Sequence, residues 1–312
     1  GQISVTTFGL GDAGNLTVQA DTIEITGLSP SSAFSGLFAS TESSGRGGDL
    51  VIDADDIRVI DGGIISVATF GAGAGGSIEI QANTMEISGA ATDFGGTLNG
   101  VTSFVAPASV QSDGNELPPA TGNGGGIAIT ANQLLLSDGG QIDASTFGDG
   151  RAGNITLNVN EITLTGLSEV LDDGTQILSR ILSSSETDLA AGSIGIVSDR
   201  LSIQNGAEII VSSLSTANAG NLTINTGTIQ LNNGGRLLAE VNGGDQGNIR
   251  LVADDLLVLR RNSAIITTAS GQSTGGNIEI QSPFIVGVPG ENSDIVANAV
   301  QGNGSNNAIT TK

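Results

Sequence analysis

A glycine, one small residue and then Ile or Leu opens an apolar run nine times along this chain, and five of the eight intervals between openings are 27 to 29 residues. The openings begin at Gly14, Gly48, Gly76, Gly125, Gly153, Gly192, Gly220, Gly247 and Gly276, with intervals of 34, 28, 49, 28, 39, 28, 27 and 29 residues. A fixed period of this length restricts the fold to a stack of equivalent units, each burying its apolar face against the next. Within the unit from Gly48, apolar residues recur at every second position through Leu50–Ile52, Ile57–Ile60 and Ile65–Ala68. That is the period of a strand with one buried face, and helical periodicity is missing. Asp61-Gly62-Gly63, Asp138-Gly139-Gly140 and Asn233-Gly234-Gly235 stand between the second and third runs, where positive φ is cheap for Gly and tolerable for Asn or Asp.

These features predict an all-β, right-handed parallel β-helix of about nine to ten coils with three short strands per coil. Each strand pairs with its equivalent one coil on, at ~4.8 Å, so nine coils give a rod of roughly 43 Å. Ile3, Ile65 and Ile142 fall at one register position and are expected to stack inward, whereas Asp143 faces solvent. An antiparallel sandwich, the rival fold, has no reason to keep a 28-residue register. Residues 1–280 read as the repeats and 281–312, interrupted by Pro283 and Pro289, as an irregular capping segment. Insertions near 28–36, 90–120 and 167–180 begin at Leu28, Ala90 and Leu167. All three sit at one register, so they should leave the rod on one side; Ala90 to Gly124 is long enough to expand two corners. Gly1 to Phe8 already matches an ordinary third strand, so the chain reads as a piece of a longer array with an open first edge.

Composition narrows the chemistry. Net charge is -22, from 32 acidic and ten basic residues, which repels phosphate backbones and anionic lipid. No nucleic-acid partner and no membrane insertion are expected. The chain has no Cys, His or Tyr, which removes disulfides, His-metal centres and His-dependent triads. No catalytic, cofactor-binding or metal residues are assigned, and no cofactor is expected. Asp55-Asp56 and Asp254-Asp255 read as turn residues six coils apart, and Asp172-Asp173 lies in an insertion near Arg180. Gly47-Gly48-Asp49 and Gly243-Gly244-Asp245 resemble a calcium nonapeptide only in isolation, without the tandem copies that complete an oxygen shell. Phe8, Phe70 and Phe147 recur in alternate coils, as corner packing or as an exposed strip for sugars. Asn15, Asn154 and Asn221 match glycosylation acceptors, but corner hydrogen bonds explain them equally.

The Gly-Asn-Ile/Leu-Thr openings, Gly275 to Ile280, and the segment Phe284 to Ala299 together resemble filamentous-haemagglutinin-like exoproteins, closest to their cyanobacterial branch. The resemblance covers nearly the whole chain, although the Asn-Pro-Asn-Gly type secretion motif of that family is not present in it. It implies an extracellular or bacterial cell-surface location and an outer-membrane transporter as partner during two-partner secretion. A non-enzymatic stalk or adhesin is the expected role, with a glycan or cell-surface ligand and end-to-end self-association as partners. A polysaccharide-cleaving β-helix and a self-assembling filament subunit are the alternatives.

Overall fold

The computed structural model describes residues 1–27, 35–89, 92–93, 96–97, 100–110, 116–171, 174–271, 273–300 and 306–311. Among them there is no helix, and nearly all strands fall into two parallel sheets of 10 and 11 strands. The chain is a parallel β-solenoid. Short strands such as Ile64–Thr69 build one sheet, and 11-residue strands such as Leu50–Ile60 build the other. Register is carried from Leu16 through Leu50, Ile78, Ile127, Ile155, Ile194, Leu222, Ile249 and Ile278, as the glycine spacing requires.

The structure shows two strands per coil instead of three. The first two apolar runs are halves of one long strand. Leu50, Ile52 and Ala54 point inward, then the phase slips by one residue and Ile57 and Val59 point inward. The ladder passes from Ala54–Ala82 to Asp56–Thr84 and skips Asp55. Two consecutive polar residues therefore mark a bend, across which backbone pairing resumes at once.

The opening glycines have a steric cause. A Cβ built on Gly48, Gly76, Gly125, Gly153, Gly192 or Gly220 would lie 1.6–2.0 Å from the carbonyl oxygen of the equivalent glycine one coil before. No side chain fits there, so the period is written in glycine. Beside it, a side-chain acceptor meets the next coil's backbone. The Asp49 N–H donates to Asn15 Oδ1, Ser193 N–H to Asn154 Oδ1 and Asn248 N–H to Asn221 Oδ1. The three glycosylation-like asparagines are thus rungs of a corner ladder.

One apolar core runs through the stack, and Ile65, Ile142, Ile181 and Ile209 are 0% exposed at one register position. Each such side chain contributes roughly 1.5–3 kcal/mol by leaving water. Ile3 shares that position but is 53% exposed, because Gln2–Thr7 is paired only with Gly36–Thr41. At the other end, residues 281–312 continue both ladders: Ile285–Gly287 pairs with Leu257–Leu259, Asp294–Ala299 with Ala264–Ala269, and Asn307–Thr310 with Ile278–Gln281. Pro283 falls at the mid-strand bend between two short strands, where a missing N–H costs no ladder bond.

Candidate interaction face

The corner between each long strand and the next short one is built on left-handed backbone. Gly27, Asp61, Gly89, Asp138, Gly166, Asn205, Asn233 and Arg261 all have φ between 49° and 83°. In a plain coil this connection spans three residues, 61–63, whereas it spans 27–35, 89–99 and 166–179 in three others. The insertions thus leave from one register, two coils apart. Leu28 and Ala90 lie outside the described residues. In the second insertion Thr92–Asp93 pairs antiparallel with Gly96–Thr97, and in the third Leu167 bridges Leu178 antiparallel. The stretch from Ala90 to Gly124 does expand two corners. Its second half, after Gly100–Val105, carries another hairpin, Ser109–Val110 with Glu116–Leu117.

The outer face of the short-strand sheet is covered, unlike that of the long-strand sheet. Ile65, Val67, Val101 and Ile142 point into the core, so Ile64, Ser66, Thr102 and Gln141 point outward, yet each is at most 4% exposed. On the long strands, outward Asp53, Asp55 and Arg58 are exposed. In the third insertion Ser168, Ile177 and Ser179 are buried as well. Ser179 ties its base down, accepting from the Gly139 N–H at 3.0 Å and donating to the Thr165 carbonyl at 2.8 Å.

On this face lies an ionisable ladder that the sequence did not signal, with Gln141 and Glu208 buried, Arg180 half-buried and Arg236 exposed. Gln141, Arg180, Glu208 and Arg236 are direct neighbours in the sheet, with Asp143 two residues along from Gln141. Burial pushes the Asp143 carboxyl up to about 6, against the opposing pull of the Ser145 hydroxyl, which donates to it, and of Arg180. Burial likewise raises Glu208, with Arg180 and Arg236 pulling it down and Glu240 adding to the rise. Among the described residues Gln141 Nε2 and Arg180 Nε are buried without hydrogen-bond partners. Asp143 does point outward, as the strand phase predicts. It is half-buried instead of fully exposed, and the surrounding protein takes part of its water.

The other sequence candidates separate clearly. Asp55-Asp56 and Asp254-Asp255 occupy mid-strand bends six coils apart, and Asp56 accepts a hydrogen bond from Thr84. Asp172 and Asp173 lie outside the described residues. Asp49 is held by Arg46 at 2.7 Å and by the Ser77 N–H, and its carboxyl sits at about 2, with the Arg46 hydrogen bond as the main cause. It is a corner rung in place of a calcium ligand. Phe8, Phe70 and Phe147 do share a register, since Phe70 donates to Thr41 and Phe147 to Val105 through their backbone N–H groups. They form no continuous strip, because Ala106 and Ala120, the base of the second hairpin, stand between Phe70 and Phe147. Phe70 packs edge-on against Phe104, with centroids 5.6 Å apart.

Among the described residues no group of three or more carboxylates is placed to hold a metal ion, and no helix is long and apolar enough to cross a membrane. No family model, no curated protein and no solved structure matches this chain.

Proposed function

We propose that the chain is the rod of an extracellular surface protein, a stalk or adhesin that presents the corner insertions as its contact face. The observation that carries this reading is the departure of three insertions from one left-handed corner in alternate coils, while the ladders on either side continue in register. Two coils are ~9.6 Å, so the insertions stand as a row on a stiff support. Binding residues on loops positioned by a rigid scaffold are a common arrangement. Location at the cell surface and export through an outer-membrane transporter rest on the family resemblance of the repeats.

A polysaccharide-cleaving role is the second reading, favoured by Asp143, Arg180 and Glu208 lying on one sheet face with both carboxyls raised. One experiment separates the two: a glycan array with a parallel lyase and hydrolase assay. It compares the intact chain with a variant in which residues 166–179 are replaced by an Asp-Gly-Gly corner. The rod reading expects binding by the intact chain, loss of binding in the folded variant, and no bond cleavage by either. Cleavage by the intact chain that disappears in Asp143→Asn would establish the second reading in its place.

A further inference from the structure

The turns that follow the short strands differ along the rod, and the difference opens a hollow. In four of the earlier coils a hydroxyl at the end of the short-strand ladder ties the following turn down, whereas Val105, in register between Thr69 and Thr146, has none and is followed by the Ser109–Leu117 hairpin. The Thr41 hydroxyl donates to the Gly45 carbonyl, Thr69 to Gly73, Thr146 to Gly150 and Ser185 to Leu189, all at 2.5–2.6 Å. In the next three coils the tie is lost. Ser213 Oγ is buried without a partner among the described residues, and the equivalent positions hold Val241 and Ala269, which have no hydroxyl. The turns of these three coils line a hollow of about 420 Å³ formed by Leu214, Ser215, Thr216, Asn242, Gly243 and Gly271. Gly243 and Gly271 keep it open with φ of 110° and 64°, so side chains there would be strained.

We propose that this hollow is a subsite for one neutral hexopyranose unit of a glycan, which deepens the adhesive reading above and rests on it. A pyranose presents an apolar face and a rim of hydroxyls, and the hollow offers both complements. Leu214, 54% exposed, is the apolar ledge. The Asn242 amide is held in place, donating to the Leu214 carbonyl and accepting from Ser270, each at 3.0 Å. Beside the hollow, Asp188 Oδ1 accepts from the Ser215 hydroxyl, from the Thr216 hydroxyl and from the Thr216 N–H. Those bonds, Ser215 first, hold the carboxyl below its ordinary range, so it stays ionised. No described residue donates to its Oδ2, which leaves a charged acceptor for sugar hydroxyls. The lining contains no cation, and the chain carries a net charge of -22, so a uronate or sulfated sugar is repelled. The volume falls in the range of small-ligand clefts.

The test is saturation-transfer NMR and calorimetry on the full chain with methyl glucoside, galactoside, mannoside and N-acetylglucosaminide, and with glucuronate as the charged control. At least one neutral glycoside should bind saturably, and glucuronate should bind at least about tenfold more weakly. Leu214→Ala and Asp188→Asn, both at exposed positions, should each weaken binding by roughly fivefold or more, Leu214→Ala without a change in melting temperature and Asp188→Asn with the far-UV circular dichroism of the folded chain retained. Replacement of residues 166–179 should leave it unchanged. No saturable binding up to about 50 mM, equal binding of glucuronate, or unaltered affinity in both point variants overturns the proposal. If array binding depends on the hairpin and not on these two residues, the subsite falls and the rod reading stands. If it depends on them and not on the hairpin, the reverse holds.

Discussion

Replacing Asp143 by Asn should stabilise the fold at neutral pH and do nothing in acid. The folded-state carboxyl sits at about 6 against an ordinary value of 3.8, because covering residues strip it of water. A raised acid pKa means that the folded chain binds the proton more tightly than the unfolded one. Stability is therefore highest below the unfolded value, declines as pH rises from about 4 to about 6, and is flat above that. Two pKa units correspond to ~3 kcal/mol, the ceiling on what ionised Asp143 costs at pH 7.5. Asn keeps an oxygen for the Ser145 hydroxyl but gives up the attraction to Arg180, so a net gain of about 1–3 kcal/mol is expected. Glu208 titrates in the same direction, and Asp49 and Asp188 in the opposite one. The difference between wild type and variant cancels those groups to first order. Urea denaturation followed by far-UV circular dichroism at pH 4 and pH 7.5 measures it. If the variant is equal to or less stable than wild type at pH 7.5, or if the gap is as large at pH 4, Asp143 is not a buried, strained carboxylate.

Ile142→Asp places an unpaired charge at a position of 0% exposure between Val101 and Ile181, and should cost roughly 3–5 kcal/mol or abolish folding, read in the same denaturation experiment. Gly125→Ala drives a methyl to within 1.6 Å of the Gly76 carbonyl oxygen and should cost more than about 2 kcal/mol; Gly126→Ala, whose nearest neighbour is 3.4 Å away, should change melting by less than about 1 kcal/mol, and a reversed order would contradict the stacking register.

Much of this fold was legible because the same steric demand recurs in each coil. Gly48, Gly76 and Gly125 meet the same carbonyl contact, so their spacing reports the ladder register directly. Asp61, Asp138 and Asn233 meet the same demand for positive φ, and the Asp/Asn-Gly-Gly motif announces it. The fusion of two strands was hidden because Asp55-Asp56 has the polarity of a turn, and only backbone pairing distinguishes a bend from a break. The ionisable ladder was hidden for a different reason. Asp143 obeys the outward phase of its strand, and nothing within its own repeat says that Arg180 and Glu208 will be its neighbours one and two coils on. The opened turns near Leu214 had a faint signal in Val241 and Ala269, which stand in consecutive coils where Thr41, Thr69, Thr146 and Ser185 carry a hydroxyl.

The glycine contacts also make this rod a ruler with discrete graduations. Each coil touches only its neighbours, so excising residues 50–77, one whole period, would bring the Leu16–Thr26 strand onto Ile78–Ser88 with its inward apolar partners matched, although Glu24 would then face Glu86 without the Arg58 that pairs with both. The distance between the first and second insertions would shorten by one step, ~4.8 Å, and their direction would not change. Deleting one residue from within Leu50–Ile60 would be far more damaging than deleting 28, since it reverses which side chains face the core beyond the cut. Separations along this molecule are adjustable only in whole coils, and whatever the row of insertions touches must match it in multiples of that step.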